Sequence, residues 1–382
     1  MRHSAIFMFC GRAYAHGTLR GEWKILFRLG TPVPKIDHQQ LRRFCQTLLT
    51  TGGMPEDDAD LVAGLLVKGE LRGYAGHGVI RVQPYLNWIK DGTYQIKEKP
   101  AVERQAKITA VVDGKHYIGQ VAARFAMQLA IAKARDHGAG IVCLRRAGHT
   151  GRLADYMEMA TEQGMIGMGA ASVGSAVTTL YGGRRPIVGT NPLAFGIPAR
   201  NGRHIVLDFA SASMSMGEIQ RRVAQHEKIP AGVMLDGHGN STTDFKTFRG
   251  PPRGVLLPFG GYKGSGIALV TELLGGALSG NGLSKEWWDN RGHGVNGLFL
   301  QAFAVAEFQD LNTFYDKVDE LIAFVKSSPC APGCSEILLP GESGRLRQVQ
   351  NERQGVKIDD NTWSELTQLA AELNVTEVPT PL

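Results

Sequence analysis

The sequence lacks any hydrophobic run long enough to cross a membrane. About 18–20 consecutive apolar residues are needed to span a bilayer, and no segment of the 382-residue chain approaches that length. A strong excess of charge of one sign is also missing, since 42 Lys and Arg face 36 Asp and Glu. Much of the +6 net charge lies in the first 34 residues, which leaves the rest nearly neutral. We therefore expect neither a membrane nor a nucleic acid as partner.

Cysteine is scarce and scattered along the chain. Five cysteines, an odd number at wide spacing, do not make a disulfide framework. Cys330 and Cys334 form a C-x3-C pair with no second pair of ligands, so we predict no metal site. The remaining three are Cys10, Cys45 and Cys143. This usage is typical of a reduced, cytoplasmic protein.

The start of the chain lacks the features of a signal peptide. The stretch "SAIFMFC" is too short for the apolar core of one, and no convincing small-residue cleavage site follows it. We predict that residues 1–34 are an unstructured extension, or the result of a start codon placed upstream. A transit peptide is the alternative, because the segment is basic and poor in acids.

A Rossmann fingerprint is missing as well. The one complete G-x-G-x-x-G match, Gly292 to Gly297, precedes a predicted strand, whereas dinucleotide binding needs a strand before the glycines and a helix after them. The stretch "FGGYKGSG", residues 259–266, lacks the residue order of an ATPase phosphate loop. Its glycines nevertheless precede a helix with Lys263 beside them, which suits an anionic group. Packing of the loop against a neighbour explains the same glycines equally well.

Hydrophobic periodicity predicts a mixed α/β chain that opens with helices. Asp37 is a plausible N-cap of the first helix, which Gly52 and Gly53 end. The strand "IVCLRR", a helix over residues 153–163 and the strand "MIGMGAAS" form a predicted βαβ unit with a right-handed crossover. The segment 220–255 carries no strong signal. Other strands and helices are predicted at "PEDDADLVAGLLVKGELRG", "KITAVVDG", "GQVAARFAMQLAIAKARDHGAG", "RPIVGTNPLAFGIPA", "HIVLDFA", "YKGSGIALVTELLGGALSG", "LFLQAFAVAEF", 313–326 and 361–373.

A histidine lies in the loop after the strand "IVCLRR". His149 has glycines nearby, and the C-terminal edge of strands is where α/β sheets bind ligands. An imidazole can exchange a proton near neutral pH, so His149 is a candidate catalytic residue. A structural role in the loop is the alternative.

A second group of candidate residues precedes the first predicted strand. His77, Arg81 and Tyr85 are spaced so that they would share one face of a helix, although Pro84 interrupts such a helix. A guanidinium at position 81 can hold a small carboxylate in a bidentate fork. An ordinary exposed helix face is the alternative. Asp208, which ends "HIVLDFA", is a candidate for a ribose hydroxyl contact or a structural acid at a strand end.

Six stretches occur in the order and spacing of one known family and together carry a resemblance over about residues 36–345. The sequence resembles the type-2 malate/L-lactate dehydrogenases, which include ureidoglycolate dehydrogenase, 2,3-diketogulonate reductase, sulfolactate dehydrogenase and piperideine-2-carboxylate reductase. The stretches are "RGYAGHGVIRVQPYLNWIKDG", "RRAGHTGRLADY", "YGGRRPIVGTNPLAFGIPA", "VLDFASASMSMGEI", "IPAGVMLDGHGNSTTDF" and "GGYKGSGIALVTELLGGALSG".

The resemblance implies an α/β, non-Rossmann nicotinamide-binding fold of the sulfolactate-dehydrogenase-like type. This fold has a mixed sheet and a helical N-terminal region. We expect a discontinuous substrate and dimerisation domain built from residues 35–118 and 290–382. A cofactor-binding domain, residues 119–289, is inserted between its two parts. The resemblance also implies a homodimer with active sites near the subunit boundary.

The resemblance also assigns roles to individual positions. His149 matches the proton donor and acceptor of ureidoglycolate dehydrogenase, and His77 matches the histidine proposed for that role in diketogulonate reductase. Arg81 and Tyr85 match positions that contact substrate. NAD or NADP is the implied cofactor, with contacts expected from Ser172, Asp208, Phe209, Ala210, Lys263 and Gly264.

The chain departs from the family pattern at two further positions, Gly76 and Glu218, and its first 34 residues have no family counterpart. Gly76 replaces the serine of the usual Ser-His-Gly, which removes a possible hydrogen bond to substrate. Glu218 stands where a basic residue is common, and an acid there could weaken binding of cofactor phosphate, including the extra phosphate of NADP.

We therefore predict an NAD(P)-dependent oxidoreductase that transfers a hydride between nicotinamide and a small 2-hydroxy or 2-oxo acid. Reduction of a cyclic imino acid such as piperideine- or pyrroline-2-carboxylate is an alternative that the same residues would serve. A catalytically inactive, nucleotide-binding paralogue is a second alternative. A phosphate-loop ATPase is a third.

Overall fold

The computed structural model describes residues 34–224, 226–287 and 295–382. The predicted extension, apart from Pro34, and Cys10 lie outside the described residues. The same is true of the first three residues of the G-x-G-x-x-G match, 292–294.

The helices of the described residues alternate with strands through most of the chain. Their bounds are α1 (His38–Thr51), α2 (Glu56–Leu71), α3 (Val82–Lys90), α4 (Gly119–His137), α5 (Ala154–Thr161), α6 (Met216–Ala224), α7 (Phe245–Arg249), α8 (Tyr262–Glu272), α9 (Leu311–Lys326), α10 (Glu342–Gln354) and α11 (Asp360–Glu372). The predicted first helix is confirmed, because Asp37 accepts hydrogen bonds from the N–H groups of Gln39 and Gln40 and so caps α1.

The strands differ widely in length, and the longest lie in one large sheet. Their bounds are β1 (Lys35–Ile36), β2 (Ala101–Gln105), β3 (Thr109–Asp113), β4 (Ala139–Ala147), β5 (Met165–Val173), β6 (Leu193–Ile197), β7 (Ile205–Phe209), β8 (Met234–Leu235), β9 (Ser241–Thr242), β10 (Val255–Leu256), β11 (Asn296–Ala304) and β12 (Val356–Lys357).

The large sheet has the strand order β2-β3-β4-β11-β5-β6-β7. Strands β3 and β4 pair in parallel, and the other neighbours in this sheet pair antiparallel. The strands of the predicted βαβ unit, β4 and β5, run in the same direction because both pair antiparallel to β11, which lies between them. Leu298 of β11 is paired with Leu144 on one side and Ala171 on the other. The predicted mixed sheet is confirmed.

Small residues allow helix α4 to lie close against the sheet. Ala122, Ala126 and Ala130 are fully buried on the face of α4 that packs on the core. A Cβ atom at Gly140 of β4 would lie 1.9 Å from the carbonyl oxygen of Ala130. Glycine is therefore required where strand and helix approach, and this close packing fixes the position of α4 relative to the end of β4.

The helical N-terminal region shares a core with the C-terminal end of the chain. Phe44 and Leu48 of α1 are buried in one cluster with Val356 of β12 and Leu366 and Leu369 of α11. The large sheet, by contrast, takes β2, β3 and β11 from segments assigned to the substrate domain and its other strands from the assigned cofactor domain. The domain boundaries at residues 118 and 290 stay predictions.

Two regions contain structure that the sequence patterns do not indicate. The segment 220–255 includes the end of α6, helix α7 and the small sheet β10-β8-β9, whose two-residue strands are too short for a periodic signal. Strand β2 is exposed on both faces and so has no alternation of apolar residues. Within the described part of the chain, no helix combines the length and apolar character needed to span a bilayer.

Candidate active site

The segment that carries His77, Arg81 and Tyr85 is not one continuous helix. It forms two 3₁₀ turns, Ala75–His77 and Val79–Arg81, before α3 begins at Val82. The shared helical face expected from the spacing is therefore wrong. Pro84 is the third residue of α3, in the first turn, where its missing N–H leaves no helical hydrogen bond broken.

A buried carboxyl group holds the two turns in place. The Glu70 Oε1 atom accepts a hydrogen bond of 2.9 Å from the N–H of Val79. A Cβ atom at Gly78 would lie 1.9 Å from the same oxygen, so glycine is required there. The Arg81 Nε atom donates to the carbonyl oxygen of Gly76 at 2.7 Å. These contacts fix the backbone between His77 and Arg81.

The buried environment of Glu70 predicts a loss of stability as pH rises. Burial raises the pKa of Glu70 from 4.5 to about 7, with Asp359 adding to the rise and the hydrogen bond from Val79 opposing it. Between these two values the folded state holds a proton that the unfolded state releases. The free energy of unfolding therefore falls as pH increases through this window, by at most about 3 kcal/mol.

The measurement is denaturant unfolding at pH 4.5 to 8 for the wild-type chain and for Glu70→Gln. The glutamine keeps an acceptor for Val79 but cannot ionise, so its stability should vary less over this range. Glu365→Gln, which changes an exposed carboxyl on α11, is the matched control. Parallel pH curves for wild type and Glu70→Gln would contradict the prediction.

The loop that carries His149 is fixed by helix α4. A Cβ atom at Gly119, the first residue of α4, would lie 2.2 Å from the carbonyl oxygen of Gly148. The backbone N–H of His149 donates to the Tyr94 hydroxyl at 2.8 Å. The close approach of helix and loop places His149 at the end of β4, as the strand pattern predicts.

The structure brings together three of the predicted site residues. The rings of His77 and His149 stack with centroids 5.4 Å apart and planes inclined by 5°. The Tyr85 hydroxyl lies 2.7 Å from Nδ1 of His149. Gln120 of α4 donates from Nε2 to the same hydroxyl, also at 2.7 Å. As whole residues, both histidines are partly exposed rather than fully buried.

Both histidines are held in the neutral form at neutral pH. Burial lowers the pKa of His77 to about 3, and the cations of Arg81 and Arg152 add to this effect. Burial also lowers the pKa of His149 well below its usual value, with further contributions from Arg81 and His77. The Nδ1 atom of His77 is buried without a hydrogen-bond partner. The site therefore presents neutral imidazoles beside a guanidinium.

Arg152 is a second cation at the site. Its side chain is 7% exposed, lies 4.5 Å over the ring of Tyr74 and contacts Asp155 at 3.5 Å. The predicted cofactor residue Asp208 belongs to β7, and its carboxylate reaches the start of α5, where its Oδ2 atom accepts a hydrogen bond of 2.8 Å from the N–H of Ala154. Burial raises the pKa of Asp208.

The end of β7, which carries Phe209, contacts the loop that leads into α8, where Lys263 and Gly264 lie. The rings of Phe209 and Phe259 meet edge to face with centroids 5.3 Å apart. A Cβ atom at Gly264 would lie 2.1 Å from the carbonyl oxygen of Phe259, so this glycine is required by packing. Lys263 is exposed beside it, and Ala210 follows directly after β7.

Ser172 has a different environment from the other predicted cofactor residues. Its hydroxyl is buried and donates to Oε2 of Glu272 at 2.9 Å. The same carboxylate accepts hydrogen bonds from the side chains of Asn191 at 2.8 Å and Ser284 at 3.0 Å. The Ser172 hydroxyl thus contacts the C-terminal end of α8, whereas Lys263 lies at the N-terminal end of the same helix.

The structure also gives the surroundings of the two departures from the family pattern. A Cβ atom at Gly76 would meet the Cα atom of Gly217 at 3.4 Å, an ordinary contact, so a serine side chain could begin there. The Glu218 carboxylate pairs with Arg221 at 2.8 Å and with Arg222 at 2.9 Å on α6. Its negative charge is therefore largely balanced within the helix.

Sequence reasoning missed four residues that shape the site: Glu70, Tyr94, Gln120 and Arg152. Gln120 and Tyr94 contact His149 or Tyr85 across long stretches of chain, which periodicity cannot reveal. Arg152 could have been noticed, because it lies three positions after His149 in "GHTGR". In the described ranges, no three His, Cys, Asp or Glu side chains are grouped so that they could hold a metal ion.

Comparison with known proteins shows which family the chain belongs to. The sequence model of the malate/L-lactate dehydrogenases matches residues 36–367. A malate/(S)-sulfolactate dehydrogenase of Methanothermus fervidus is 32% identical over 343 residues, which make up 89% of this chain and 98% of that protein.

Two solved structures share the fold over nearly their full length. The malate dehydrogenase of Pyrococcus horikoshii OT3 matches with a TM-score of 0.82 and 31% identity, over 91% of this chain and 97% of that one. The delta1-piperideine-2-carboxylate reductase of Pseudomonas syringae pvar. tomato matches with a TM-score of 0.78 and 28% identity, over 88% and 99%. The predicted fold class and family resemblance are confirmed. The chain belongs to the malate/L-lactate dehydrogenase family and is a hydroxy-acid oxidoreductase acting on CH–OH groups.

Proposed function

We propose that the chain catalyses the NAD(P)-dependent interconversion of a small 2-hydroxy acid and the matching 2-oxo acid. The observation that carries this proposal is the stacked pair of neutral imidazoles, His77 and His149, beside the guanidinium of Arg81. Such an arrangement can exchange a proton with a substrate oxygen while it holds a carboxylate.

The residues present fit a nicotinamide cofactor. The turn before α8 contains Gly260 and Gly261 at φ +56° and +63°, and the first turn of α8 has no side-chain cap. The N–H groups of Lys263, Gly264 and Ser265 already donate to carbonyl oxygens of the preceding loop. The positive end of the helix and the exposed side chain of Lys263 are therefore what can hold a phosphate group. Asp208, Phe209 and Ala210 would contact the nucleoside part. When bound, the nicotinamide supplies or accepts the hydride.

The residues of the chain divide the remaining tasks. His149 exchanges the proton with the substrate oxygen, and its neighbour His77 polarises that oxygen or shares the proton transfer. Arg81 holds the carboxylate, since its Nε bond to Gly76 leaves the other guanidinium donors for a ligand. Positioned proton transfer of this kind contributes roughly 10²–10⁴-fold to the rate.

The solved piperideine-2-carboxylate reductase makes a second substrate class worth testing. A cyclic imino acid carries the same carboxylate for Arg81, and its imine carbon can accept a hydride in the same position as a carbonyl carbon. The malate and sulfolactate names of the closer sequence relatives support a hydroxy acid as the main substrate.

We also propose that the chain acts as a homodimer in the cytoplasm. Exposed apolar side chains follow one another along α8 and its π-helical continuation, Leu273–Leu278, which is typical of an interaction surface. They are Tyr262, Leu269, Val270, Leu273 and Leu278. The four described cysteines are free thiols, as a reducing compartment favours. Size-exclusion chromatography with light scattering tests the oligomeric state.

The experiment that tests the function is loss of reduced-nicotinamide absorbance, with NADH and NADPH in parallel. The substrates are pyruvate, oxaloacetate, 2-oxo sugar acids and piperideine-2-carboxylate. We expect turnover of a 2-oxo acid. Turnover of the imine alone would replace the main proposal with the second substrate class. Cofactor binding without any turnover would favour an inactive paralogue, and failure to bind either cofactor would overturn the proposed site.

A further inference from the structure

We propose that Gln120 is a positioning residue that acts through Tyr85 to hold the proton of neutral His149 on Nε2. This inference rests on the proposed function of His149 and adds a reason for the orientation of its ring. It also assigns the Tyr85 hydroxyl to His149 rather than to the substrate.

Three side chains from separate elements form a short hydrogen-bonded chain. Gln120 is the second residue of α4, Tyr85 lies on α3, and His149 lies in the loop after β4. The two contacts, Gln120 Nε2 to Tyr85 Oη and Tyr85 Oη to His149 Nδ1, are both 2.7 Å. Gln120 is 1% exposed and Tyr85 is fully buried. Water therefore cannot easily replace either partner.

The chemistry of the donors gives the chain a direction. The Nε2 atom of a glutamine amide can only donate, so it occupies an acceptor position of the Tyr85 hydroxyl. The single hydroxyl hydrogen is then available for His149, whose Nδ1 atom must accept it. In a neutral imidazole whose Nδ1 accepts, the proton lies on Nε2. Nε2 is thereby the atom that donates a hydrogen bond to the substrate oxygen. When reduction transfers this proton, the proton that the reaction takes up from solvent restores the neutral imidazole.

The reverse direction would leave buried hydrogen atoms without acceptors. It requires the amide of Gln120 to rotate so that Oε1 accepts from Tyr85. The amide nitrogen, with its two hydrogens, would then take the place of Oε1, which is buried without a partner. A buried carbonyl oxygen without a partner is tolerated better than a buried N–H group without one. The orientation with Nε2 toward Tyr85 is therefore favoured.

The close approach of helix α4 to the loop that carries His149 also fixes the position of Gln120. The backbone of Gly119 touches the loop at Gly148 and His149. The side chain of Gln120 lies under Gly151, with its Cγ and Nε2 atoms 3.7 Å from where a Cβ atom would stand. Helix α4 thus carries the amide to the tyrosine as a rigid unit.

The test compares the wild-type chain with Gln120→Met, which keeps the length of the side chain and removes the donor. We expect kcat to fall by about 10-fold, as when a group that orients a catalytic histidine is lost. The KM for the 2-oxo acid and the Kd for NADH should change by less than about twofold, because neither ligand contacts Gln120 in this scheme. Tyr85→Phe should give the same pattern and serves as the second variant.

A readout independent of activity is the ¹⁵N spectrum of histidine-labelled protein without substrate. The His149 signals, identified by their loss in His149→Ala, should show the proton on Nε2 in the wild type and a mixture of tautomers in Gln120→Met. Gln128→Met is the control, because Gln128 is exposed on the same helix and lines a cleft of about 550 Å³ that contains neither histidine.

Three results would overturn the inference. The first is a proton on Nδ1 in the wild-type spectrum, and the second is an unchanged tautomer and kcat in both variants. The third is a rise in the KM of a variant without a change in tautomer, because it would place Gln120 or Tyr85 in contact with substrate. If the wild type turns over no substrate, the proposed function fails, whereas the spectrum still decides the role of Gln120.

Discussion

Replacing His149 with alanine is expected to lower kcat by roughly 10²–10⁴-fold, the usual contribution of a positioned proton donor. The expectation rests on its contact with Tyr85, its stacking on His77 and its neutral state. Because the residue is not fully buried and its backbone is held by Tyr94 and helix α4, the fold should survive the change. The measurements are steady-state kinetics, the Kd for NADH and thermal unfolding.

The companion variants separate the two histidines. His77→Ala should lower kcat less than His149→Ala if His77 only polarises the substrate oxygen. A larger loss in His77→Ala would reverse the two roles. His137→Ala changes an exposed histidine at the end of α4 and should leave turnover unchanged. Retention of full turnover by His149→Ala would remove this residue from the catalytic machinery.

The pH dependence follows from the same geometry. The pKa of His149 lies well below its usual value of 6.5 because of burial and the charge of Arg81. The wild-type kcat should therefore lack an inflection near pH 6.5 that belongs to this residue. Removal of the Arg81 charge should move the inflection of His149 upward, toward the ordinary histidine range.

The second large effect is expected for Arg81→Lys, which should raise the KM for the 2-oxo acid by roughly 10–100-fold. A lysine keeps the positive charge but cannot make the bidentate fork, and each charge-assisted hydrogen bond that is lost removes about 1.5–3 kcal/mol of binding. The lysine also loses the bond from Nε to Gly76, which holds the turn that carries His77. A fall in kcat should accompany the rise in KM.

The matched control is Arg124→Lys on the exposed side of α4, which should leave both constants unchanged. The Kd for NADH distinguishes the two ligands, because Arg81 is proposed to contact substrate and not cofactor. A KM within about twofold of the wild-type value would place the substrate carboxylate elsewhere. Arg152, the second cation near His77, would then be the residue to change next.

The sequence by itself determined the family and the order of most elements, and it supplied the candidate site residues. The regular spacing of apolar residues, the cap at Asp37 and the glycine stop at Gly138 act locally, so they can be read without the fold. Likewise, His149 stands beside glycines directly after an apolar strand, and the pattern alone places it at a sheet edge.

Only the tertiary structure decided which side chains meet. Two 3₁₀ turns replaced the helix expected for His77, Arg81 and Tyr85, because Glu70 and Gly78 constrain the backbone there. Strand β11 entered the sheet between β4 and β5 from far along the chain. The contact from Gln120 to Tyr85 and the burial that keeps both histidines neutral depend on packing between distant elements. Burial and long-range contacts are properties of the assembled fold, and no local pattern of residues encodes them.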